Sequence, residues 1–244
     1  MRTPAHALIF AGGVGRRMHT NGVPKQFLKV YGKPVIIYTL EHFQKHPGID
    51  DIVVVCVASH IDYLKEQLRI FEIRKVKEII SGGETGQDSI YLGLCALRGM
   101  SASDEDIVLV HDGVRPVITQ ELISENIRSV KRHGNAISAS AATETITRKG
   151  EKAGFIADVL DRETCVIAKA PQTFRLGELF AAHEQSRVEG WHKAIDSATL
   201  MLHYGHQLHY VECSTANIKI TTPYDYYVFK GILKAQESMQ IIGV

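Results

Sequence analysis

"ALIFAGGVGRRMHTNGVPKQFL", residues 7–28, decides how the rest of the chain is read. An apolar run stops at Gly12 and Gly13, a third glycine follows at Gly15, and Arg16, Arg17 and Lys25 come after it. Residues 7–11 read as a first strand. The loop "GGVG" carries little side chain, so its amides can turn toward a single anion. Arginine adds planar donors that suit phosphate oxygens, and Lys25 adds a compact point charge. In open α/β sheets, ligands bind beyond the carboxyl ends of the strands, where this loop lies. The competing reading is a tight turn flanked by solvated arginines.

Bulk properties narrow the classes. The chain has 244 residues, 45% of them apolar, with 28 basic and 27 acidic side chains and a net charge of +1. Such a balance speaks against nucleic-acid binding by bulk charge, so an anion site must be local. The four cysteines, Cys56, Cys95, Cys165 and Cys213, lie far apart without a CxxC, and they read as reduced core thiols. "MRTPAH" lacks the apolar core of a signal peptide, and no run approaches the roughly 20 apolar residues of a membrane helix. The expectation is a soluble cytoplasmic protein that binds no membrane.

Short apolar runs recur as "HALIFAG", "DIVVVCVAS", "VKEII", "DIVLVHD", "AISASAA", "TCVIAKA" and "QLHYVECS". Helical spacing fills 34–46, 60–73, 86–99, 119–133, 175–188, 196–204 and 223–238 between and after them. Several runs are apolar throughout, as strands covered on both faces must be. The alternation predicts one α/β domain over 1–244, with a mostly parallel sheet and helices on both faces. "ETITRKGEKAGFIADVLDR" breaks the rhythm, with a turn-like centre between two β-prone arms. It predicts a protruding arm over about 143–162. Such an arm has no core of its own and would be stabilised by packing on a second subunit, which predicts a homodimer.

Other segments carry candidate chemistry. "LVHDGVRP" ends a strand with His111, Asp112 and Arg115. A carboxylate there can hold a magnesium ion that bridges phosphates, and Arg115 can grip a second phosphate. The alternative is that Asp112 and Arg115 merely satisfy a turn. In "SGGETGQDSI", backbone groups of Gly82 and Gly83 can read a base edge and Ser89 a ribose or base, or else the segment is a helix start capped by Thr85 or Glu84. "NIKITTP" places Lys219 in a short strand, facing inward or exposed. Asp196 reads as a helix cap. His203, His206 and His209 span a helix–turn–strand boundary and share no face, so no metal site is expected of them. The dinucleotide fingerprint lacks its third glycine, and there is no Walker loop, Gly-x-Ser-x-Gly elbow or HExxH.

Together, "AGGVGRRM", "PKQFL", "GGETGQDS", "VHDGVRP", "APQTF" and "NIKITTP" resemble, in order and spacing, the cytidylyltransferases that act on methylerythritol 4-phosphate or ribitol 5-phosphate. The resemblance runs from Ala7 to about Ala235. "FAGGVGRRM" and "DGVRP" sit nearer the ribitol 5-phosphate branch. It implies a Rossmann-like fold with a dimerising arm, and a reaction of CTP with a polyol phosphate that releases pyrophosphate with magnesium as cofactor. By this resemblance Arg17 and Lys25 match catalytic cations, and Lys219 matches a lysine near the phosphates. Ala11, Gly12, Gly13 and Gly15 match the triphosphate loop, and Gly82, Gly83 and Ser89 the cytidine contacts. Asp112 and Arg115 match the metal and substrate-phosphate positions. Thr145 and Arg162 match arm residues that reach the polyol phosphate on the partner subunit. The chain departs from the family pattern at Gly86, Ala170 and Ala216, where an arginine, a threonine and an acidic residue are common. A non-catalytic nucleotide-binding regulator, a sugar-1-phosphate nucleotidylyltransferase using another NTP, and an NAD-dependent oxidoreductase are the rival classes.

Overall fold

The computed structural model describes residues 2–12 and 23–242, with side chains through Ser238. The first half alternates strand and helix. β1 spans Ala5–Ala11, the short β2 and β3 (Lys29–Val30 and Lys33–Pro34) form a hairpin, and α1 follows over Val35–Lys45. Next come β4 (Asp51–Cys56), α2 (Ile61–Ile70), β5 (Val76–Ser81), α3 (Gly86–Gly99), β6 (Ile107–Asp112) and α4 (Gln120–His133). β7 spans Asn135–Ala141, and the arm is an antiparallel pair, β8 (Ile146–Lys149) with β9 (Ile156–Leu160). β10 (Val166–Arg175), α5 (Leu176–Glu189), α6 (Ser197–His203), β11 (Tyr210–Glu212) and α7 (Pro223–Ile242) complete the chain.

Seven strands form one sheet in the order β11-β7-β10-β6-β1-β4-β5. β1 pairs in parallel with both β4 and β6, so the chain reverses its direction of travel across the sheet beside β1. That reversal opens a crevice beyond the carboxyl ends of β1 and β6, at Ala11 and Asp112. β10 alone runs antiparallel, against both β6 and β7. Its beginning therefore lies at the same edge as the ends of the parallel strands. The arm, inserted between β7 and β10, also leaves from that edge.

The period-2 alternation of each strand loads both faces. Ala7 and Ile9 of β1 face a core built by α1, α2 and α4, around Ile37, Phe43, Leu64 and Ile123. Leu8 faces the opposite core, built by α3, α5 and α6 around Leu94, Phe174, Leu179 and Met201. A third cluster packs Phe229 of α7 on Val30, Val35, Val114 and Ile220, and so pins the C-terminal helix beside the crevice. Burying both faces explains why the sequence runs are apolar without interruption.

Helix ends match local chemistry. Thr85 and Asp88 form a reciprocal capping box at α3, and Asp196 Oδ1 accepts from Thr199 N at 2.8 Å, as its cap reading predicts. Two expectations are corrected. Lys219 lies in no strand, because residues 217–222 run as irregular chain, held to the fold by Ile220 N donating to Val114 O at 2.9 Å. Cys56 is buried as a core thiol, whereas Cys95, Cys165 and Cys213 are half-buried, and all four are free.

Candidate active site

The site grows out of the ends of β1 and β6. Beyond Ala11, Gly12 approaches Gly82 so closely that a Cβ on Gly82 would stand 3.0 Å from Ser89 Oγ and 3.5 Å from the Gly12 Cα. A methyl group there would press on the Ser89 hydroxyl and touch Gly12, so a side chain larger than alanine has little room between the two loops. Gly82 N donates to Cys56 O at 2.9 Å, which ties the second glycine loop to β4. Ser89 Oγ donates to Thr85 O at 2.9 Å and accepts from Gly83 N at 3.2 Å, so its hydroxyl first shapes its own loop. Gln26 is buried, and its amide donates to Ala11 O at 2.5 Å, anchoring the 3-10 turn Lys25–Phe27 against the end of β1. Phe10, Ala11, Gly12, Lys25, Gly83, Ser89, Asp112 and Lys219 thereby line one cavity. Arg16, Arg17, Gly13 and Gly15 lie outside the described residues.

Asp112 ends β6 and is buried. Its Oδ1 meets Lys219 Nζ at 2.5 Å, and its Oδ2 accepts from Arg115 Nε at 2.8 Å. The turn between Asp112 and Arg115 is closed by Arg115 N donating to Asp112 O at 3.1 Å. Thr39 Oγ1 donates to Gly113 O, and the buried His111 places Nε2 3.1 Å from Arg115 O. That contact makes Nε2 the protonated nitrogen, because a carbonyl only accepts. Burial pushes the His111 pKa down to about 4, so the ring is neutral at physiological pH. Lys219 Nζ also stands 5.9 Å from the centre of the Phe10 ring.

A second cavity, of about 310 Å³, shares Phe10, Gly86, Asp112 and Lys219 with the first and continues to Arg115, Lys169, Gln172 and Asp196. Its far wall is an irregularity in β10. Between Ala168, opposite Ala139, and Gln172, opposite Ile137, β10 advances four residues while β7 advances two. Bulges beside sites re-aim side chains in this way. Asn217 Nδ2 donates to Ala170 O at 2.7 Å, and Asn217 O accepts from Arg115 Nη1 at 3.0 Å, so one residue of "NIK" joins the bulge to the Asp112 turn.

The structure thus brings together Ala11, Gly12, Gly82, Gly83, Ser89, Lys25, Asp112, Arg115 and Lys219 from segments distant in sequence. Thr145 and Arg162 stand apart on the exposed arm, and Arg162 Nη1 donates to Thr143 O at 3.4 Å. Both are absent from the lining of the two cavities within one chain. The histidines stay dispersed: His203 stacks on Trp191 and His209 on His133. Sequence reading missed Phe10, Gln26, Lys169 and Asn217. Gln26 and Asn217 sat inside quoted motifs as polar letters, and their burial was the missing signal. Among the described residues no cluster of three or more His, Cys, Asp or Glu could hold a metal alone.

Lysines, an arginine and two glycine loops gather around a buried carboxylate at the switch point of an α/β sheet, the place where such sheets bind ligands. The chain belongs to the 2-C-methyl-D-erythritol 4-phosphate cytidylyltransferase family, which it matches over residues 5–235, and it is a nucleotidyltransferase. It is 48% identical over 237 residues to a ribitol-5-phosphate cytidylyltransferase of Vibrio parahaemolyticus, covering 97% of this chain and 99% of that one. It is 37% identical over 227 residues to a 2-C-methyl-D-erythritol 4-phosphate cytidylyltransferase of Clostridium botulinum, covering 93% and 96%. Its fold superposes with a TM-score of 0.81, at 24% identity, on the 4-diphosphocytidyl-2C-methyl-D-erythritol synthase of Anaerococcus prevotii, covering 95% of this chain and 96% of that one.

Asp112→Asn keeps the shape of the turn and removes its charge. Burial alone raises the Asp112 carboxyl; attraction to Lys219 and then Arg115 outweighs it and holds the group below the ordinary carboxylate value. A value lowered by folding gives stability that is present above the ordinary pKa and lost as pH falls through the folded one. At pH 7 the wild type is expected to exceed Asp112→Asn by about 1–3 kcal/mol in urea unfolding, with the gap closing below roughly pH 4. A gap independent of pH would contradict the pairing.

Proposed function

We propose that this protein transfers the cytidylyl group of CTP to D-ribitol 5-phosphate, forming CDP-ribitol and releasing pyrophosphate. The observation that carries the reading is the shared wall of the two cavities. Phe10, Gly86, Asp112 and Lys219 border both, so a nucleotide held by the glycine loops would meet an acceptor held beside Arg115. The choice of ribitol follows the relatives at 47–48% identity. The second reading, methylerythritol 4-phosphate as acceptor, is favoured by the description of the matched family and the relative at 37%.

In the proposed mechanism an oxygen of the acceptor phosphate attacks the α-phosphorus of CTP, and pyrophosphate leaves in line. The nucleophile is already anionic near neutral pH, so no general base is needed. Two mutually repelling anions must instead be held in position and the charge of the pentacoordinate state stabilised. Lys25 and Arg17 would neutralise the α-phosphate and the leaving group. Gly12, Gly13 and Gly15 would present amides to the triphosphate, and Gly82, Gly83 and Ser89 would hold cytidine. Lys219 would bridge the two phosphate positions, and Arg115 would hold the acceptor. One carboxylate completed by substrate phosphates suits Mg²⁺, and Asp112 is the residue that would hold it. The ion would supply further neutralisation of phosphate charge.

The reading includes a homodimer whose arms bring Thr145 and Arg162 to the partner's acceptor. Its support is the apolar surface exposed along the arm and its base, at Phe155, Ile156, Val159, Val166 and Ile167. It also includes a cytoplasmic location, supported by four free thiols. No described helix is long and apolar enough to cross a membrane.

Pyrophosphate release from CTP should be at least tenfold faster with ribitol 5-phosphate than with methylerythritol 4-phosphate at equal concentration. The reverse order assigns the second reading, and no release with either removes both. Lys25→Ala should lose on the order of 10²–10³ in kcat while keeping its urea midpoint; near-normal turnover takes Lys25 out of catalysis. Sedimentation at micromolar concentration should give a dimer, and a stable monomer would refute the shared site.

A further inference from the structure

The acceptor cavity contains a cation that none of the preceding roles uses. Lys169 lies in the β10 bulge and lines this cavity with Asp112, Arg115 and Lys219. Its ammonium donates to Thr215 O at 3.1 Å and to Asn217 O at 3.2 Å. An ammonium has three donors, and these two carbonyls take two of them. Asn217 O also accepts from Arg115 Nη1, which places Lys169 and Arg115 around one carbonyl oxygen. Arg115 and Lys219 both share their charge with Asp112, whereas no carboxylate among the described residues pairs with Lys169.

We infer that Lys169 is an acceptor-binding residue of this site, whose ammonium contacts the phosphate of the incoming polyol phosphate. A phosphate monoester carries about −1.5 to −2 at neutral pH. Arg115 and Lys219 are already partly neutralised, and an acceptor dianion needs a further positive charge to enter next to a triphosphate. Burial, with Arg115 close by, holds the Lys169 pKa below the ordinary lysine value, and an anion in the cavity would offset both effects. The bulge supplies the placement. Because β10 runs antiparallel, its irregular start meets the edge where β6 ends, and the extra residues project Lys169 out of the ladder.

This inference rests on the proposed reaction, and two measurements keep them separable. In steady-state kinetics, Lys169→Met should raise KM for ribitol 5-phosphate at least tenfold, leave KM for CTP within twofold, and leave kcat within about threefold. Binding lost equally from ground and transition states has that signature. Lys169→Arg should recover most of the acceptor affinity. If Lys169 only braces the 213–222 segment, Lys219 shifts too; kcat then falls and both KM values move together, which overturns the inference. An unchanged acceptor KM overturns it as well. Calorimetric titration of wild type and Lys169→Met with inorganic phosphate reads the anion site without turnover. Binding weakened in the variant supports Lys169 even if wild type uses neither polyol phosphate, while equal binding counts against it even if the reaction is confirmed.

Discussion

The site depends on one buried carboxylate. Asp112 sits at the end of a central strand, between Lys219 at 2.5 Å and Arg115 at 2.8 Å. Two cations this close repel each other, and a shared anion makes their approach tolerable. The same contact joins three parts of the chain: β6 with its turn, the irregular 217–222 segment, and through Asn217 the bulge of β10. Deleting the charge would remove the ion pairs and leave the bonds of Asn217 to Arg115 and Ala170 to hold the three together. The ion pairs fix in place two of the cations that line the second cavity.

Around that centre the fold acts as a frame with little freedom. β1 and β6 are buried on both faces, and Gln26, Thr39 and His111 spend buried polar groups on carbonyls of the loops that line the site. Each of these bonds fixes a backbone segment rather than touching a ligand. Preorganisation of this kind is what charge stabilisation needs, since donors that must reorient lose much of their effect. It is also what the proposed reaction between two anions would need, because its nucleophile requires no activation.

Much of this was legible in the sequence for a physical reason. Strands covered on both faces are apolar almost throughout, so β1, β4 and β6 announced themselves, and the helices between them kept their 3.6-residue period. Gly12, Gly82, Asp112 and Lys219 were singled out because their motifs recur in the order and spacing of a known family; each motif alone also fits a turn, a cap or an exposed side chain. The antiparallel sense of β10 was not legible, since strand direction leaves no mark on hydrophobic pattern. Neither was the bulge, which depends on register against β7. Lys169 therefore read as part of a strand, and Lys219 was given a strand that the irregular chain around Asn217 does not form. Gln26 and Asn217 were hidden because a buried amide that donates to a distant carbonyl looks like a surface amide in one dimension.

The most direct measurement of the central claim is a crystal structure of the protein with CTP and magnesium bound. The account predicts the triphosphate against Gly12 and Lys25, its α-phosphate within reach of Lys219, and the side of the α-phosphorus away from the leaving pyrophosphate facing the cavity of Arg115 and Lys169. A triphosphate seated elsewhere, with Lys25 and Lys219 turned to bulk water, would contradict it.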